Sequence, residues 1–393
     1  MQAPPPQGPL ERYRLLAPSA SLRVSPLCLG SMNFGDSWKG FMGSCDQKTT
    51  ESILDYFYEQ GGNFIDTANI YQSEESESWI GEWMKKRENR QEMGEVISIS
   101  DLLDPTQSSN MRHLVIATKY TMHFKTGPGK CKIAANFTGN GTKSMHVSLH
   151  ASLKKLQTDY VDIFYVHWWD HSASIPEVMQ SLNNAVLQGK VLYLGISDTP
   201  AWIVAKANQY ARDHGLRQFT VYQGQWSAAL RDFEREIIPM CRDEGMGLCP
   251  WGALGGGTFK TEEQRKAKDG RQGQVTEAQI KVSKVLQTMA EQKNTALTSI
   301  ALAYVMHKTP YVFPIVGGRT LDQLKSNIQA LKVRLSPAEI GEIEGAIPFD
   351  LGFPASFLYN GKQPDHPGHI SMLDMAGTFD LVELPRPILP SDS

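Results

Sequence analysis

Cysteine is scarce in this 393-residue chain, and the five residues Cys28, Cys45, Cys131, Cys241 and Cys249 are far apart, with no CxxC pair. That spacing excludes a disulfide framework and the common zinc and dithiol motifs, and leaves packed, reduced thiols as the expectation. No apolar run approaches the ~18 residues of a membrane span. The start, Met1-Gln2-Ala3-Pro4-Pro5-Pro6, lacks the basic and apolar regions of a signal peptide, so a soluble cytoplasmic protein is expected. Charge of one sign is also missing: 39 basic against 42 acidic side chains leave a net charge of -3, which provides no general field for nucleic acid. Any anion site must therefore be local. Neither HExxH nor an aspartate-rich loop occurs, so no metal is expected. The sequons at Asn136-Phe137-Thr138 and Asn140-Gly141-Thr142 fall in a glycine-rich stretch and read as chance matches in a cytosolic chain.

What the chain does contain is an alternation. Apolar runs at 27–29, 63–65, 114–118, 160–166, 191–196, 219–222, 247–250 and 311–316 are separated by segments of helical spacing at 49–60, 76–88, 144–156, 175–187, 200–212, 233–242, 276–292 and 298–307, with a last one at 321–331. Thr49 and Thr50 are the cap candidates for the first helix, and Gly61-Gly62 ends it. Eight strand–helix alternations, with no GxGxxG after the first strand, predict an α/β fold of the (β/α)8 TIM-barrel type and argue against a Rossmann sheet. Two apolar runs between 13 and 29 predict an N-terminal β-hairpin across the barrel's bottom. The domain organisation expected is a disordered proline-rich start at 1–12, a barrel with extra helices over 13–347, and a proline-interrupted, extended C-terminal tail at 348–393 that wraps it. A polar, serine-rich insertion at 91–111 joins a helix to the start of a strand. It is therefore expected on the barrel's N-terminal face, dispensable for catalysis.

The densest chemistry lies in Gly62-Asn63-Phe64-Ile65-Asp66-Thr67-Ala68-Asn69-Ile70-Tyr71, where a buried run ends in a carboxylate and a phenol follows five residues later. A phenol with pKa ~10 is a poor proton donor at neutral pH unless its phenolate is stabilised, usually by an ammonium. Lys119 closes the next apolar run and supplies one. The run at 160–166 then ends in His167. Singly, a lysine or histidine after a strand is more often structural; the ordered constellation carries the functional reading.

Asp66, Tyr71, Lys119 and His167 in this arrangement resemble the active-site tetrad of the aldo-keto reductases. The resemblance spans roughly 13–353 and is strongest toward the fungal aryl-alcohol dehydrogenase and norsolorinic acid reductase-like branch, through Ser197-Asp198-Thr199-Pro200-Ala201-Trp202, Tyr222-Gln223-Gly224 and Pro250-Trp251-Gly252. It implies reversible reduction of aldehydes or ketones to alcohols with NADPH/NADP+. In that scheme Tyr71 passes the proton, Lys119 lowers its pKa, Asp66 orients Lys119, and His167 positions the carbonyl. It also implies cofactor contacts from Gly30, Met32 and Asp66. Ser197 and Gln223 would hold the carboxamide, with Asp198 standing where the family has Asn, and Trp251 would stack on the nicotinamide. Gly252, Leu254 and Gly256 would line the pyrophosphate, and Gly317, Arg319, Gln323 and Asn327 the adenosine 2′-phosphate end.

Aromatic residues after the strand ends, Phe34, Trp38, Phe41, Tyr120, Trp168, Trp169 and Trp226, are expected to line a cleft for a flat aromatic or polyketide-like carbonyl compound. The partner is a small molecule, with neither nucleic acid nor membrane. The rival readings are a cofactor-binding regulatory subunit resembling the potassium-channel beta subunits and an unrelated barrel enzyme such as a phosphate-sugar isomerase.

Overall fold

The structure, a computed structural model, describes residues 4–90, 114–126, 131–266 and 275–390. The insertion at 91–111 lies outside the described residues. An antiparallel hairpin of β1 (Arg14–Ala17) and β2 (Ala20–Val24) precedes eight parallel strands: β3 (Cys28–Gly30), β4 (Phe64–Asp66), β5 (Val115–Tyr120), β6 (Val161–Val166), β7 (Val191–Ser197), β8 (Phe219–Gln225), β9 (Gly247–Trp251) and β10 (Ile315–Val316). Neighbours follow chain order, with β10 beside β3. The ring closes just upstream of β10, where Phe313 N–H donates to the Leu248 carbonyl at 2.8 Å and Leu248 N–H to Tyr311 at 2.9 Å. The last strand is shorter than its apolar run because Pro314 has no N–H to give a ladder. The (β/α)8 barrel read from the alternation is the fold observed.

Alternate residues of a strand face opposite sides of the sheet, and this divides the core in two. Inside the barrel lie Cys28, Phe64, Ala117, Tyr165, Val221 and Cys249, plugged from below by Leu16 and Val24 of the hairpin. Gly195 belongs to this inner set: a Cβ there would fall 2.5 Å from the Tyr165 ring, so glycine makes room for the phenol. Two residues further along each strand or just past it, at the same parity, stand Gly30, Asp66, Lys119, His167, Ser197, Gln223 and Trp251. The apolar interior thus ends in a polar rim at the strands' C-terminal ends, where barrels carry their chemistry.

The outer layer packs helices on the other parity. Helix α1 (Gln47–Glu59) starts earlier than its threonines indicate, because Asp46 is the cap and accepts the Thr49 N–H at 2.8 Å, while Thr50 is buried. The segment read as one helix over 233–242 divides into a 3-10 turn, Asp232–Glu234, and the helix Ile237–Asp243. Starting at Ile237 leaves Pro239 in the first turn, where no N–H is needed. A further helix, Pro337–Gly345, follows the last segment of helical spacing, and Ser336 and Glu339 form its full capping box.

In the segment read as disordered, Pro9–Glu11 makes a 3-10 turn that buries Leu10. The tail meets the barrel's flank through the Arg242–Asp365 ion pair and through Phe349, whose ring lies 4.6 Å from the guanidinium carbons of Arg231 and Arg235. Among the described residues no helix is long and apolar enough to cross a membrane.

Helix α2 (Glu75–Arg87) crosses the end of helix Thr142–Leu156 at Gly81, where a Cβ would lie 2.2 Å from the Lys155 carbonyl oxygen. In an open helix Gly→Ala gains ~1 kcal/mol. Here the neighbour is backbone and cannot give, so Gly81→Ala is expected to cost ~1–3 kcal/mol instead. A urea midpoint equal to or above that of the parent protein would contradict this close packing.

Candidate active site

Lys119 is the buried centre of the rim. Its side chain is 0% exposed, and its three N–H groups reach Asp66 Oδ2 at 2.6 Å, the Thr67 carbonyl at 2.8 Å and Tyr71 Oη at 3.2 Å. A buried ammonium needs all three partners, because each donor left unpaired adds to the cost of removing the charge from water. Burial alone would lower the lysine's pKa, but Asp66 and Tyr71 outweigh it and hold it above the ordinary value. Asp66 has a second oxygen, and Oδ1 accepts from Gln223 Nε2 at 2.9 Å across the barrel.

Tyr71 opens a short 3-10 turn, Tyr71–Glu74, beyond β4. The lowering of its pKa expected from the resemblance is not the net result. Burial raises it, Lys119 works in the opposite direction, and burial prevails. The phenol therefore keeps its proton at neutral pH. His167 stands edge-on to it, with ring centroids 6.1 Å apart. Burial, assisted by the Lys119 charge, lowers His167 to about 3. Its Nδ1 is buried without a hydrogen-bond partner. A proton there would be an unpaired buried donor, so the neutral ring is assigned its proton on Nε2. The cleft thus has two neutral O–H and N–H donors above one cation.

The aromatic candidates divide. Trp38 meets Tyr71 edge-on at 6.4 Å, and Trp168 follows His167 with its indole N–H on Met122 Sδ at 3.0 Å. Both are half-buried. Phe34, Tyr120 and Trp226 are not cleft residues: each is fully buried in the outer core. Tyr120 adjoins Lys119 in sequence and so points to the opposite face, stacked on Phe164 at 5.3 Å with its hydroxyl on the Asn140 carbonyl. Trp226 stacks on Phe233 at 5.5 Å and donates to Glu234. Phe34 turns inward on a bend closed by its N–H to the Ser31 carbonyl. Trp169 packs against the same core, and the side chain of Phe41 lies outside the described residues. Asn140 of the second sequon is fully buried and bonded to Thr121 and Trp168, which supports the reading of a chance match.

The cofactor candidates form two groups. At the centre, Asp198 accepts from Ser197 Oγ and from Trp251 Nε1, each at 3.2 Å. A carboxylate can accept at both oxygens, which an amide in its place could not. Gln223 adjoins this group through its backbone carbonyl, which accepts the Asp198 N–H at 3.0 Å, and Trp251 keeps 36% of its surface open. On the flank, Gly30 has no space for a side chain, since a Cβ would meet Ile315 at 2.6 Å, and Gly317 lies above its carbonyl. Met32 is half-buried, and its carbonyl accepts from Gln72 Nε2. Gly252 and Gly256 take left-handed φ values of 74° and 62°, flanking the half-buried Leu254. Arg319 precedes the helix Leu321–Gln329, capped by Thr320 on the Gln323 N–H, while the Gln323 side chain returns to the Arg319 N–H at 2.7 Å. Asn327 is buried. Among the described residues no cluster of three potential metal ligands occurs.

His167 also generates a measurable pH dependence. It is neutral in the folded chain down to about 3, whereas an unfolded histidine titrates near ~6.5. As pH falls below ~6.5 the unfolded state binds the proton first, so stability is lost, by on the order of 1 kcal/mol per pH unit for this group. His167→Gln should therefore flatten the fall in melting temperature between about pH 7 and about pH 5. Equal slopes in the two proteins would rule out a buried neutral imidazole.

Known proteins resemble this chain along most of its length. The Aldo/keto reductase family model matches residues 26–348. Norsolorinic acid reductase B of Dothistroma septosporum is 56% identical over 391 residues, covering 96% of this chain and 94% of its own length. Norsolorinic acid reductase A of Aspergillus parasiticus is 54% identical over 91% of this chain and 86% of its own. The aryl-alcohol dehydrogenase [NADP(+)] of Phanerodontia chrysosporium is 47% identical over 92% of each chain.

Proposed function

Because this chain belongs to the aldo/keto reductase family and is an oxidoreductase acting on carbonyl compounds with a nicotinamide cofactor, we propose that it reversibly reduces aromatic or polyketide-like aldehydes or ketones with NADPH, and that Tyr71 is the proton donor. The observation that carries this reading is the contact of Lys119 Nζ with Tyr71 Oη at 3.2 Å beside a neutral His167.

The cofactor, when bound, supplies the hydride. Everything else comes from the chain. Tyr71 carries its proton at neutral pH, as a phenol does, and burial raises its pKa further. Lys119 lies within hydrogen-bond reach of the oxygen that loses that proton, and so stabilises the phenolate as it forms. Asp66 keeps the ammonium in place. The Nε2–H of His167 donates to the substrate oxygen and holds it near the phenol. Trp251 offers a flat face to the nicotinamide, Ser197 and the side-chain Oε1 of Gln223 suit its carboxamide, and glycines 252 and 256 admit a pyrophosphate closely. Arg319 and the free N–H groups at the start of helix Leu321–Gln329 suit a 2′-phosphate. Trp38 and Trp168, with the aryl-alcohol dehydrogenase and norsolorinic acid reductase names of the relatives, favour a flat aromatic substrate.

Tyr71→Phe deletes the donor and keeps the ring. Turnover in an NADPH-oxidation assay over a panel of aldehydes and ketones should fall by ~1,000-fold or more, in the upper range for one acid group, with NADPH affinity nearly unchanged. Near-normal turnover would end the assignment.

Arg319→Ala should reduce the preference for NADPH over NADH by about tenfold, as expected from one charge-assisted phosphate contact. Titration of both cofactors by fluorescence quenching reads this directly, and an unmoved affinity ratio would place the phosphate elsewhere.

A further inference from the structure

The turn that carries Tyr71 has a strained backbone. Gln72, Ser73 and Glu74 take successive φ values of 51°, 53° and 87°, a left-handed run in which Cβ crowds the following carbonyl. No glycine relieves it. Such a run persists only where its surroundings over-determine it. Glu74 is held by Lys125 and Lys155 at 2.9 and 3.4 Å. Gln72 is held by the loop that follows β3.

Gln72 is fully buried, and both ends of its amide are engaged with that loop. Nε2 donates to the Met32 carbonyl at 2.9 Å, and Oε1 accepts the Trp38 N–H at 2.7 Å. The Glu75 carboxylate takes the two preceding N–H groups, of Asp36 at 2.8 Å and Ser37 at 3.0 Å. Three consecutive loop amides are therefore fastened to the Tyr71 turn. Gly35 permits the approach, since a Cβ there would lie 2.3 Å from Gln72 Cβ. What this clamp fixes is Trp38, with its ring edge-on to Tyr71.

We propose that Gln72 is a positioning residue that sets the aromatic wall of the cleft, by locking Trp38 against Tyr71, and so governs selectivity for flat substrates; this rests on the reading of Tyr71 as proton donor. The chemistry favours an amide, which offers a donor and an acceptor on one short planar group. Ionised glutamate would accept from Trp38 but have nothing to give the Met32 carbonyl. Glycine would tolerate the left-handed turn and release the loop.

The test compares kcat/KM for benzaldehyde and for butanal in the parent protein, Gln72→Gly, Gln72→Glu, Trp38→Ala and the Gln72→Gly/Trp38→Ala double variant. In each single variant the benzaldehyde-to-butanal ratio should fall by about tenfold, mainly through KM, and the double variant should lose no more than one of them, as residues acting as a unit do. The isosteric Gln72→Glu carries the test if the glycine variant does not fold. A ratio within about twofold of the parent in a folded Gln72 variant, or losses that multiply in the double variant, would overturn the proposal. Tyr71→Phe, measured alongside, separates the two readings. If it stays active, the proton-donor assignment fails. If it is inactive while the Gln72 variants leave the ratio unmoved, the role of Gln72 alone fails.

Discussion

A single buried positive charge organises the centre of this protein. Lys119 has no water to solvate it, and an uncompensated ion in such a place costs several kcal/mol. Its partners are consequently held at fixed points: Asp66 at the end of β4, the Thr67 carbonyl beside it, and the Tyr71 hydroxyl on the following turn. The influence extends further. Asp66 binds Gln223 on the far side of the barrel with its remaining oxygen, and the same charge helps keep His167 neutral. One lysine thus fixes the position of a phenol, the orientation of a carboxylate and the protonation of an imidazole.

What lies beneath this charge sets how strongly its contacts act. The barrel interior is filled by Phe64, Tyr165, Cys28 and Cys249, and the hairpin closes its bottom. Lys119 Nζ sits 5.9 Å from the centre of the Tyr165 ring. A dry, rigid floor strengthens every electrostatic contact above it. It also explains why burial competes with Lys119 at Tyr71 and prevails: the enclosure that makes the ammonium effective also opposes a phenolate.

The rim is built on strand ends, and a loop lies across it. One loop, from Ser31 to Cys45, touches both ends of the candidate site. Trp38 meets Tyr71 at the reactive end, and Gly43, with φ 82°, lies so close to Arg319 that a Cβ would fall 2.2 Å from a guanidinium nitrogen. An antiparallel bridge between Gly35 and Cys45 closes the loop's base. Packing through this loop connects the pocket's aromatic wall to the arginine suited to a phosphate.

Much of this was legible in the sequence, because period and parity are properties of the chain itself. Apolar runs of strand length alternating with helical spacing are enough to predict a barrel, and a carboxylate, a lysine and a histidine closing successive runs must emerge at one end of it. The inward parity that carries Phe64 to Asp66 and Ala117 to Lys119 could also have shown that Tyr120 points outward. Other features depend on atoms brought from distant parts of the chain. Whether Asp46 or Thr49 caps a helix is decided by which side chain reaches an N–H. Whether Trp226 lines a cleft or stacks on Phe233 is decided by how a loop folds back. The direction of the Tyr71 pKa is a sum over burial and charge that no local segment contains. Nothing local marks Gln72: its left-handed backbone and the burial of its amide between Met32 and Trp38 arise where the loop after β3 meets the Tyr71 turn. The sequence by itself determined which chemical groups reach the rim, since alternation along a strand is a local law. Only the tertiary structure decided their protonation, their walls and their clamps, since those arise from contacts between residues that the chain places far apart.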